Sequence, residues 1–342
     1  MSGKETQTIA GASMTDQIDV LSIGNAIVDV IAPAPDSFLA DNSLVKGSMR
    51  LIDAEEAERL YALMPPGRES SGGSGANAAA GMAALGTNVA FVGRVAGDQL
   101  GKIFQHDIRA TGVKFDTPFA DTGNPTARCL ILVTPDAQRT MNTFLGASQD
   151  LTEADVDYDL VARAKITYLE GYLWDPAKPR AAMAKALQVA HDNNRRVAFT
   201  LSDSFCVDRH GDDFRRLAGG EVDILFANEA EITALWGASD FDEAVRQQRG
   251  KLPIAVITRS EKGAVILAGD ETITVPAEPA KAVIDTTGAG DLYAAGFLAG
   301  LAQGRPLDRC AILGAVAAAE VISHYGARPE ADLKALAKAR LG

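Results

Sequence analysis

Apolar residues along the chain fall into short continuous runs and into longer segments with helical spacing. The runs that predict strands are 89–92, 166–169, 197–201, 224–227, 254–258, 264–267 and 272–275. Helical segments such as 178–193 and 229–236 lie between these runs. Strands that alternate with helices indicate an α/β fold, in which a mostly parallel sheet has helices on both faces.

The pattern is less regular in the first third of the chain. Residues 18–30 form an apolar run that is broken at Gly24 and Asn25, which predicts a buried strand ending near a ligand. Residues 33–50 have no sustained period and are expected to leave the core. A helix is predicted over 53–63, because Asp53 is suited to the N-cap and Glu56 follows three residues later.

A β-rich segment interrupts the α/β pattern. Residues 126–134 and 139–144 are predicted strands, and the polar residues 135–138 form the turn between them. Because this hairpin lies between α/β units, we expect an inserted lid with segments at about 32–52 and 113–146. Residues 18–342, including these segments, are predicted to be one large α/β domain, whose last 55 residues are mostly helical.

Charge and composition exclude several classes of protein. The net charge of -12 argues against a nucleic-acid partner, which would require clustered Lys and Arg. Cys129, Cys206 and Cys310 are far apart and have no metal-ligand spacing, so three reduced thiols are expected. Residues 1–17 are polar and predict a disordered leader, and no apolar stretch reaches the roughly 18 residues of a membrane span. A cytoplasmic protein with no membrane partner is expected.

The segment 285–291, Asp-Thr-Thr-Gly-Ala-Gly-Asp, precedes an Ala- and Leu-rich helical segment. The first N–H groups of a helix have no partner inside it and favour a bound anion. Gly288 and Gly290 lack Cβ atoms, so the backbone can approach a phosphate closely. Asp291 is placed to accept a proton from a substrate hydroxyl, although a glycine turn with a capping Asp would also explain the pattern. Neither a P-loop nor a complete dinucleotide motif is present.

Four segments together resemble the ribokinase-like, or PfkB, family of carbohydrate and nucleoside kinases. Segment 285–291 is similar to its C-terminal signature, 72–79 to its N-terminal signature, 228–231 to its Asn-x-x-Glu element and 24–29 to its first strand end. They occur in the family's order, and the resemblance covers roughly residues 18–335. It implies a ribokinase-like fold with a small β-sheet lid, and an ATP-dependent kinase that uses Mg2+. Activation by K+ stays open.

The resemblance also implies roles for individual residues. Asp291 would be the catalytic base, and the backbone of Gly288, Ala289 and Gly290 the anion hole. The substrate site would hold Asn25, Asp29, Gly72, Gly73, Asn77 and Arg139. Asn228 and Glu231 would organise Mg2+ and phosphate, with Glu231 acting through water. The remaining nucleotide-binding residues would be Thr258, Arg259, Gly263 and Thr287.

Simpler roles stay open for several of these residues. Asp29 could end a strand, Asn77 could cap a helix, Glu231 could be solvated and Arg139 could be an exposed strand residue. The chain also departs from the family's Thr-x-Gly-x-x-Gly element at 258–263, because Ser260 replaces the first Gly.

The resemblance implies that the acceptor is a small nucleoside or sugar. Segments 24–29 and 142–148 resemble the adenosine kinase branch, which favours adenosine. Tyr172 and Trp174 offer rings on which a purine could stack, unless they pack in the core. Fructose, ribose or 2-keto-3-deoxygluconate is the alternative, and a catalytically silent regulator is the alternative of another class. A monomer and a lid-mediated homodimer both stay open.

Overall fold

The computed structural model of the chain describes residues 17–136 and 138–342. The predicted leader therefore lies outside the described residues except for Gln17, and so does Ala137 of the predicted turn.

Strands and helices alternate along most of the described chain. The strands are β1 (Val20–Ile23), β2 (Ile27–Pro33), β3 (Met49–Leu51), β4 (Arg68–Gly72), β5 (Val89–Val92), β6 (Ala127–Val133), β7 (Arg139–Phe144), β8 (Ile166–Glu170), β9 (Arg196–Thr200), β10 (Ile224–Asn228), β11 (Ile254–Thr258), β12 (Ala264–Ala268) and β13 (Glu271–Val275). The helices are α1 (Asp36–Asp41), α2 (Ala54–Leu63), α3 (Ser74–Ala84), α4 (Gln99–Ala110), α5 (Tyr158–Arg163), α6 (Ala177–Asp192), α7 (Ser204–Arg216), α8 (Glu229–Trp236), α9 (Phe241–Gln248), α10 (Ala289–Ala302), α11 (Leu307–Val321) and α12 (Leu333–Leu341).

The main sheet has the strand order β13-β12-β11-β10-β9-β8-β1-β5 within the described residues. Its strands pair in parallel from β5 to β11, and β12 and β13 pair antiparallel at one edge. The predicted α/β fold with a mostly parallel sheet is confirmed.

Side chains of the main sheet point alternately into two apolar layers, as a parallel sheet with two covered faces requires. On one face, Phe226 packs between Tyr168 of β8 and Phe297 of α10, with ring centroids 6.0 and 5.7 Å away. On the other, Phe199 of β9 packs edge-on against Phe214 of α7 at 5.1 Å. The first layer also contains residues of α3 and α11, and the second contains residues of α6, α8 and α9.

Helices α10 and α11 pack so closely that the backbone of each helix contacts glycine residues of the other. A Cβ at Gly296 would lie 2.4 Å from the Leu313 carbonyl oxygen, and a Cβ at Gly314 would lie 2.7 Å from that of Tyr293. Only glycine fits at both points. This contact fixes α10, whose first turn lies at the candidate site.

A second sheet has the order β3-β7-β6-β2-β4. It contains the predicted hairpin as β6 and β7, and we call it the lid sheet. The predicted lid segments contain β3, β6 and β7, whereas β4 and most of β2 (Ile27–Pro33) lie outside them. The buried strand predicted in the run 18–30 is β1, which ends before Gly24. The chain then passes at Gly24–Asn25 from the main sheet to the lid sheet, where the rest of the run forms β2, a strand that was not predicted separately.

Between the predicted elements, 33–50 is more ordered than the sequence indicates, since it forms α1 and β3. The three cysteines are buried and free, as predicted. No helix in the described part of the chain is long and apolar enough to cross a bilayer.

Candidate active site

Polar side chains gather where the parallel strands of the main sheet end. Asn25 follows β1, Glu170 ends β8, Asp203 follows β9, Asn228 ends β10 and Thr258 ends β11. The carboxyl ends of parallel strands lie at the same edge of a sheet, which is where ligands of open α/β sheets bind. The first turn of α10 and the lid strand β2 complete this edge.

The N-terminus of α10 is open. Its N-cap, Gly288, has a left-handed φ of 77° and provides no capping side chain. Among the predicted anion-hole residues, the Ala289 N–H donates to the Thr286 oxygen at 3.2 Å. Within the described residues, the N–H groups of Gly288 and Gly290 have no hydrogen-bond acceptor. Such unpaired donors at a helix start are available to an anion.

The two glycines of this turn differ in what surrounds them. A Cβ at Gly288 would lie 2.6 Å from the Cβ of Ala327, so this turn is packed closely on its inner side. A Cβ at Gly290 would meet nothing within 4 Å, so its outer side faces open space. The turn is therefore supported by packing on the Gly288 side and accessible to a ligand on the Gly290 side.

Asp291 lies in the first turn of α10 and is half-buried. Its Oδ1 accepts a hydrogen bond from the Ser74 hydroxyl at 2.6 Å, and its Oδ2 accepts one from Asn77 Nδ2 at 3.0 Å. Burial raises the pKa of Asp291, while these two hydrogen bonds and the charge of Arg328 oppose the rise. Asn77 lies inside α3, whose N-cap is Gly73, so it is not the helix cap. Ser74 was not singled out from the sequence.

Asp29 lies on β2 of the lid sheet and faces the glycine turn before α3. A Cβ at Gly72 would lie 2.3 Å from its Oδ2, and a Cβ at Gly73 would lie 2.1 Å from the Asn25 oxygen. Burial raises the pKa of Asp29 to about 6, although the charges of Arg328 and Arg139 oppose this. The glycines therefore let the turn approach a carboxyl group that lies within electrostatic range of Asp291.

Glu170 joins three of these segments and was missed from the sequence. Its Oε2 accepts from the N–H of Gly75 at 2.8 Å and of Asn25 at 3.2 Å, and its Oε1 accepts from Asn25 Nδ2 at 2.6 Å. Burial raises the pKa of Glu170 to about 7, and the bonds from Gly75 and Asn25 oppose the rise. Asn25 is thus held by Glu170. A charged residue ending a buried strand was the available signal.

Asn228 and Glu231 form a reciprocal capping box at the start of α8. Glu231 N donates to Asn228 Oδ1 at 2.9 Å, and Glu231 Oε2 accepts from the Asn228 N–H at 3.0 Å. Glu231 is 6% exposed, so it is not a solvated helix residue. Burial raises its pKa to about 7, opposed by the Asn228 bond and reinforced by the nearby charges of Asp203 and Asp291.

Arg139 crosses from the lid strand β7 to the loop before α10. It forms an ion pair with Asp285 at 2.7 Å and donates to Thr287 Oγ1 at 3.3 Å. Its side chain is 10% exposed, so it is not an exposed strand residue. Asp285 Oδ1 in turn accepts from the Thr287 N–H at 3.1 Å. The loop that carries the anion-hole residues is therefore tied to the lid sheet.

The turn after β11 contains the other predicted nucleotide-binding residues. Arg259 forms a two-pronged ion pair with Glu229 of α8, at 3.1 and 3.2 Å, and lies over the Phe241 ring. Thr258 Oγ1 donates to the Ala227 oxygen at 3.5 Å. Gly263 has a φ of 84°, and Ser260 has a φ of 51°, in the left-handed region that favours glycine. The chain thus departs from the family element at a position where glycine would be unstrained.

The aromatic residues after β8 do not both remain available for stacking. Trp174 is 2% exposed, packs against Phe199 and Phe214 in the core, and donates to Asp213 at 2.9 Å. Of the two roles left open for Trp174, core packing is the one observed, because its ring packs edge-on against two phenylalanines and its N–H is already bonded. Tyr172 is partly buried and bonds through its hydroxyl to the Ser202 oxygen at 3.2 Å.

Comparison with known proteins identifies the family. A model described as pfkB family carbohydrate kinase matches residues 18–333. The chain belongs to this family. The crystal structure of an adenosine kinase from Sinorhizobium meliloti is 50% identical, with a TM-score of 0.87, covering 95% of this chain and 99% of that one. A probable sugar kinase from Rhizobium etli CFN 42 is also 50% identical, with a TM-score of 0.88, covering 95% and 98%.

A curated relative is more distant. An adenosine kinase from Saccharomyces cerevisiae is 29% identical over 327 residues, covering 89% of this chain and 94% of its own length. Together these relationships confirm that the chain is an ATP-dependent kinase of the ribokinase-like fold, with a nucleoside or sugar as acceptor.

Proposed function

We propose that this kinase phosphorylates adenosine on its primary hydroxyl, giving AMP and ADP. The proposal depends chiefly on the open N-terminus of α10, where two unpaired N–H groups lie in the same turn as Asp291. A carboxyl group and an anion-binding helix start are what an in-line transfer from ATP to a hydroxyl requires. Adenosine is supported by the similarity to adenosine kinases along nearly the whole chain.

In the proposed reaction Asp291 accepts the proton of the acceptor hydroxyl. The hydroxyl oxygen then forms a bond to the γ-phosphorus, the bond from that phosphorus to the β,γ-bridging oxygen breaks, and ADP leaves. Asp291 suits this role because Ser74 and Asn77 orient both of its oxygens. Burial raises the pKa of Asp291 towards the working pH, which makes the carboxylate a more effective general base. The N–H groups of Gly288 and Gly290 would stabilise charge on the transferring group.

The acceptor would lie between Asp291 and Asp29, with Asn25, Asn77 and the Gly72–Gly73 turn around it. A side chain at Gly72 would collide with the Asp29 carboxyl group, which supports a role for this glycine in keeping the site open. Thr287, Thr258, Arg259 and Gly263 would form the ATP side. Arg139, which the sequence places in the acceptor site, would contact the transferring phosphates, because it reaches Thr287 and Asp285 beside the anion hole. ATP binding would then require Arg139 to exchange Asp285, at least in part, for phosphate oxygens.

The residues present fit Mg2+ as a partly hydrated ion. No group of three His, Cys, Asp or Glu side chains that could hold a metal ion is found among the described residues. Glu231 and Asn228 offer oxygens at the carboxyl edge of the sheet, and Mg2+ commonly keeps several waters. When bound with ATP, Mg2+ would neutralise charge on the phosphates. Glu231 would hold it through water.

A sugar kinase is the second candidate, because the probable sugar kinase from Rhizobium etli is as similar as the adenosine kinase from Sinorhizobium meliloti. The deciding experiment measures Mg2+- and ATP-dependent ADP release with adenosine, other nucleosides, ribose, fructose and 2-keto-3-deoxygluconate, together with the phosphorylated product. Turnover with adenosine far above the other acceptors is expected. Turnover with a sugar alone would refute adenosine, and binding of ATP without any turnover would favour a silent regulator.

A further inference from the structure

The segment 322–332, which connects α11 to α12, supports the anion-hole loop. We call it the strap. The Ile322 oxygen accepts from Ile284 N at 2.8 Å, and the Gly326 N–H donates to Asp285 Oδ2 at 3.0 Å. Ala327 fills the space beside Gly288. The loop before α10 thus rests on the strap through hydrogen bonds and packing.

The strap also carries Arg328, which no sequence motif singles out. Its Nε and Nη2 donate to the Ser71 carbonyl oxygen at 3.0 and 2.7 Å, and its Nη1 donates to the Ala76 carbonyl oxygen at 2.6 Å. Ser71 lies at the end of β4, just before the Gly72–Gly73 turn, and Ala76 lies in α3. One planar guanidinium therefore fixes the distance between the lid sheet and the helix start.

The position of Ala76 connects this bond to the reacting carboxyl group. Ala76 lies between Ser74 and Asn77, and both of those side chains donate to Asp291. Ser71 is held from its other side by Asp107 of α4, which accepts from the Ser71 N–H at 2.7 Å. A shift of the guanidinium would therefore move the donors of Asp291, even though no hydrogen bond joins Arg328 to Asp291 directly.

The charge of Arg328 is directed at the same site. It lowers the pKa of Asp29 and of Asp291, against the burial that raises both. Asp107, Asp29 and Asp291 are the acidic groups that face Arg328, and Arg139 is the second cation that faces Asp29. The two carboxyl groups that are proposed to act as anions thus share one half-buried cation.

We propose that Arg328 is a positioning residue for phosphoryl transfer, which aligns the start of α3 with Asp291 and places one positive charge opposite Asp29 and Asp291. The inference depends on the roles proposed above for Asp291 and Asp29. Arg328 itself exchanges no proton or bond with the substrate. Lysine would keep the charge but lose the planar fork, whereas glutamine would lose the charge and keep one amide donor.

The test compares Arg328→Gln, Arg328→Lys and the wild type in the pH dependence of kcat/KM and kcat, with the acceptor that the wild type turns over best. Arg328→Gln is expected to move the acid limb of kcat/KM about 1 pH unit higher, because the carboxyl groups lose a nearby cation. Arg328→Lys should keep the wild-type acid limb and lower the plateau of kcat about 10-fold through misalignment.

Arg109→Gln is the matched control. Its Nε and Nη2 also donate to a single carbonyl oxygen, that of Phe115, at 2.9 and 2.6 Å, but it does not face the site carboxyl groups. It should leave both the acid limb and the plateau of kcat unchanged. Circular dichroism and Tm measure how much of each variant is folded.

An acid limb at the wild-type pH in folded Arg328→Gln overturns the proposal, even if that variant is less stable. If Arg328→Gln does not fold, the test uses Arg328→Lys alone. A plateau of kcat in Arg328→Lys equal to that of the wild type then overturns the proposal. Failure of wild-type turnover with adenosine would refute only the proposed acceptor, because the same profiles can be recorded with a sugar.

Discussion

Two helices begin at the same edge of the main sheet, and their N-termini differ in one respect. The start of α8 is closed, because Asn228 and Glu231 satisfy each other's donors in a capping box. The start of α10 is open, because its N-cap is Gly288 and the N–H groups of Gly288 and Gly290 have no acceptor among the described residues. A capped helix end is complete without a ligand, whereas an uncapped one remains available to an anion. The open end is therefore the better candidate for the chemistry, and the closed end for support.

The largest expected effect comes from the open end. Asp291→Asn should lower kcat about 10²- to 10⁴-fold, because the amide cannot accept the proton. The fold should be kept, since Asn77 Oδ1 has no partner within the described structure and can accept from the new amide after a flip. Steady-state kinetics and Tm measure the two effects.

Asp308→Asn is its control, since Asp308 is also an acidic residue in the first turn of a helix, α11, but lies outside the site. If Asp291→Asn kept the wild-type kcat, Asp291 would not be the base and the two helix ends would not differ in function.

The next effect separates the two glycines of the open end. Gly288→Ala should lower the free energy of unfolding by about 2 kcal/mol or more, because its φ is left-handed and the new Cβ would lie 2.6 Å from Ala327. Gly290→Ala should change stability by less than about 1 kcal/mol, yet raise the KM for ATP, because its open side faces the proposed phosphate. Urea unfolding and ATP kinetics distinguish them. Equal loss of stability in both variants would contradict the described packing.

At the closed end the expected effect depends on pH. Burial raises the pKa of Glu231 in the folded protein to about 7, above its ordinary value of 4.5. Its favourable contribution to stability is therefore complete below about pH 4.5 and lost as the pH rises through 7. The free energy of unfolding of the wild type, relative to Glu231→Gln, should fall by about 1 to 3 kcal/mol between pH 4.5 and pH 8.

Glu243→Gln is the control for this series, because Glu243 occupies the corresponding position of α9 but is only partly buried and has a lowered pKa. If Glu231→Gln kept the wild-type pH dependence of the free energy of unfolding, the buried carboxyl group of Glu231 would not be the cause of that dependence.

The smallest expected effect concerns the turn beside the closed end. Ser260→Gly should raise the free energy of unfolding by about 0.5 kcal/mol, because glycine relieves the left-handed φ at some entropic cost. Ser239→Gly, at a serine without a left-handed φ, should lower it. Chemical unfolding curves of the two variants give the comparison, and a destabilised Ser260→Gly would contradict the strain.

The sequence predicts those elements whose own residues determine them. Continuous apolar runs locate β5 and β11 to the residue, and the Asp53 cap locates α2, because burial and local capping act within each segment. The sequence of β4 is Arg-Glu-Ser-Ser-Gly, which has no pattern typical of a strand. The segment becomes a strand because it pairs with β2. This strand depends on a partner about 40 residues away in the sequence.

The same distinction holds at the candidate site. The glycine turn at 285–291 and the Asn228–Glu231 pair are local patterns, and the sequence identifies both. Glu170 and Arg328 work through backbone groups 95 to 257 residues away, which no local pattern encodes. Trp174 shows why the sequence leaves such roles open, because an aromatic residue near a strand end can equally pack into the core.

Asp29 belongs to the lid sheet and Asp291 to a helix packed on the main sheet. If an acceptor bonds to both, it crosslinks the two sheets, and closure of the lid becomes part of its binding free energy. An analogue without the hydroxyl that Asp29 holds would then lose closure as well as one hydrogen bond. Water would reach the γ-phosphate of bound ATP, and the enzyme would hydrolyse ATP without phosphorylating the analogue.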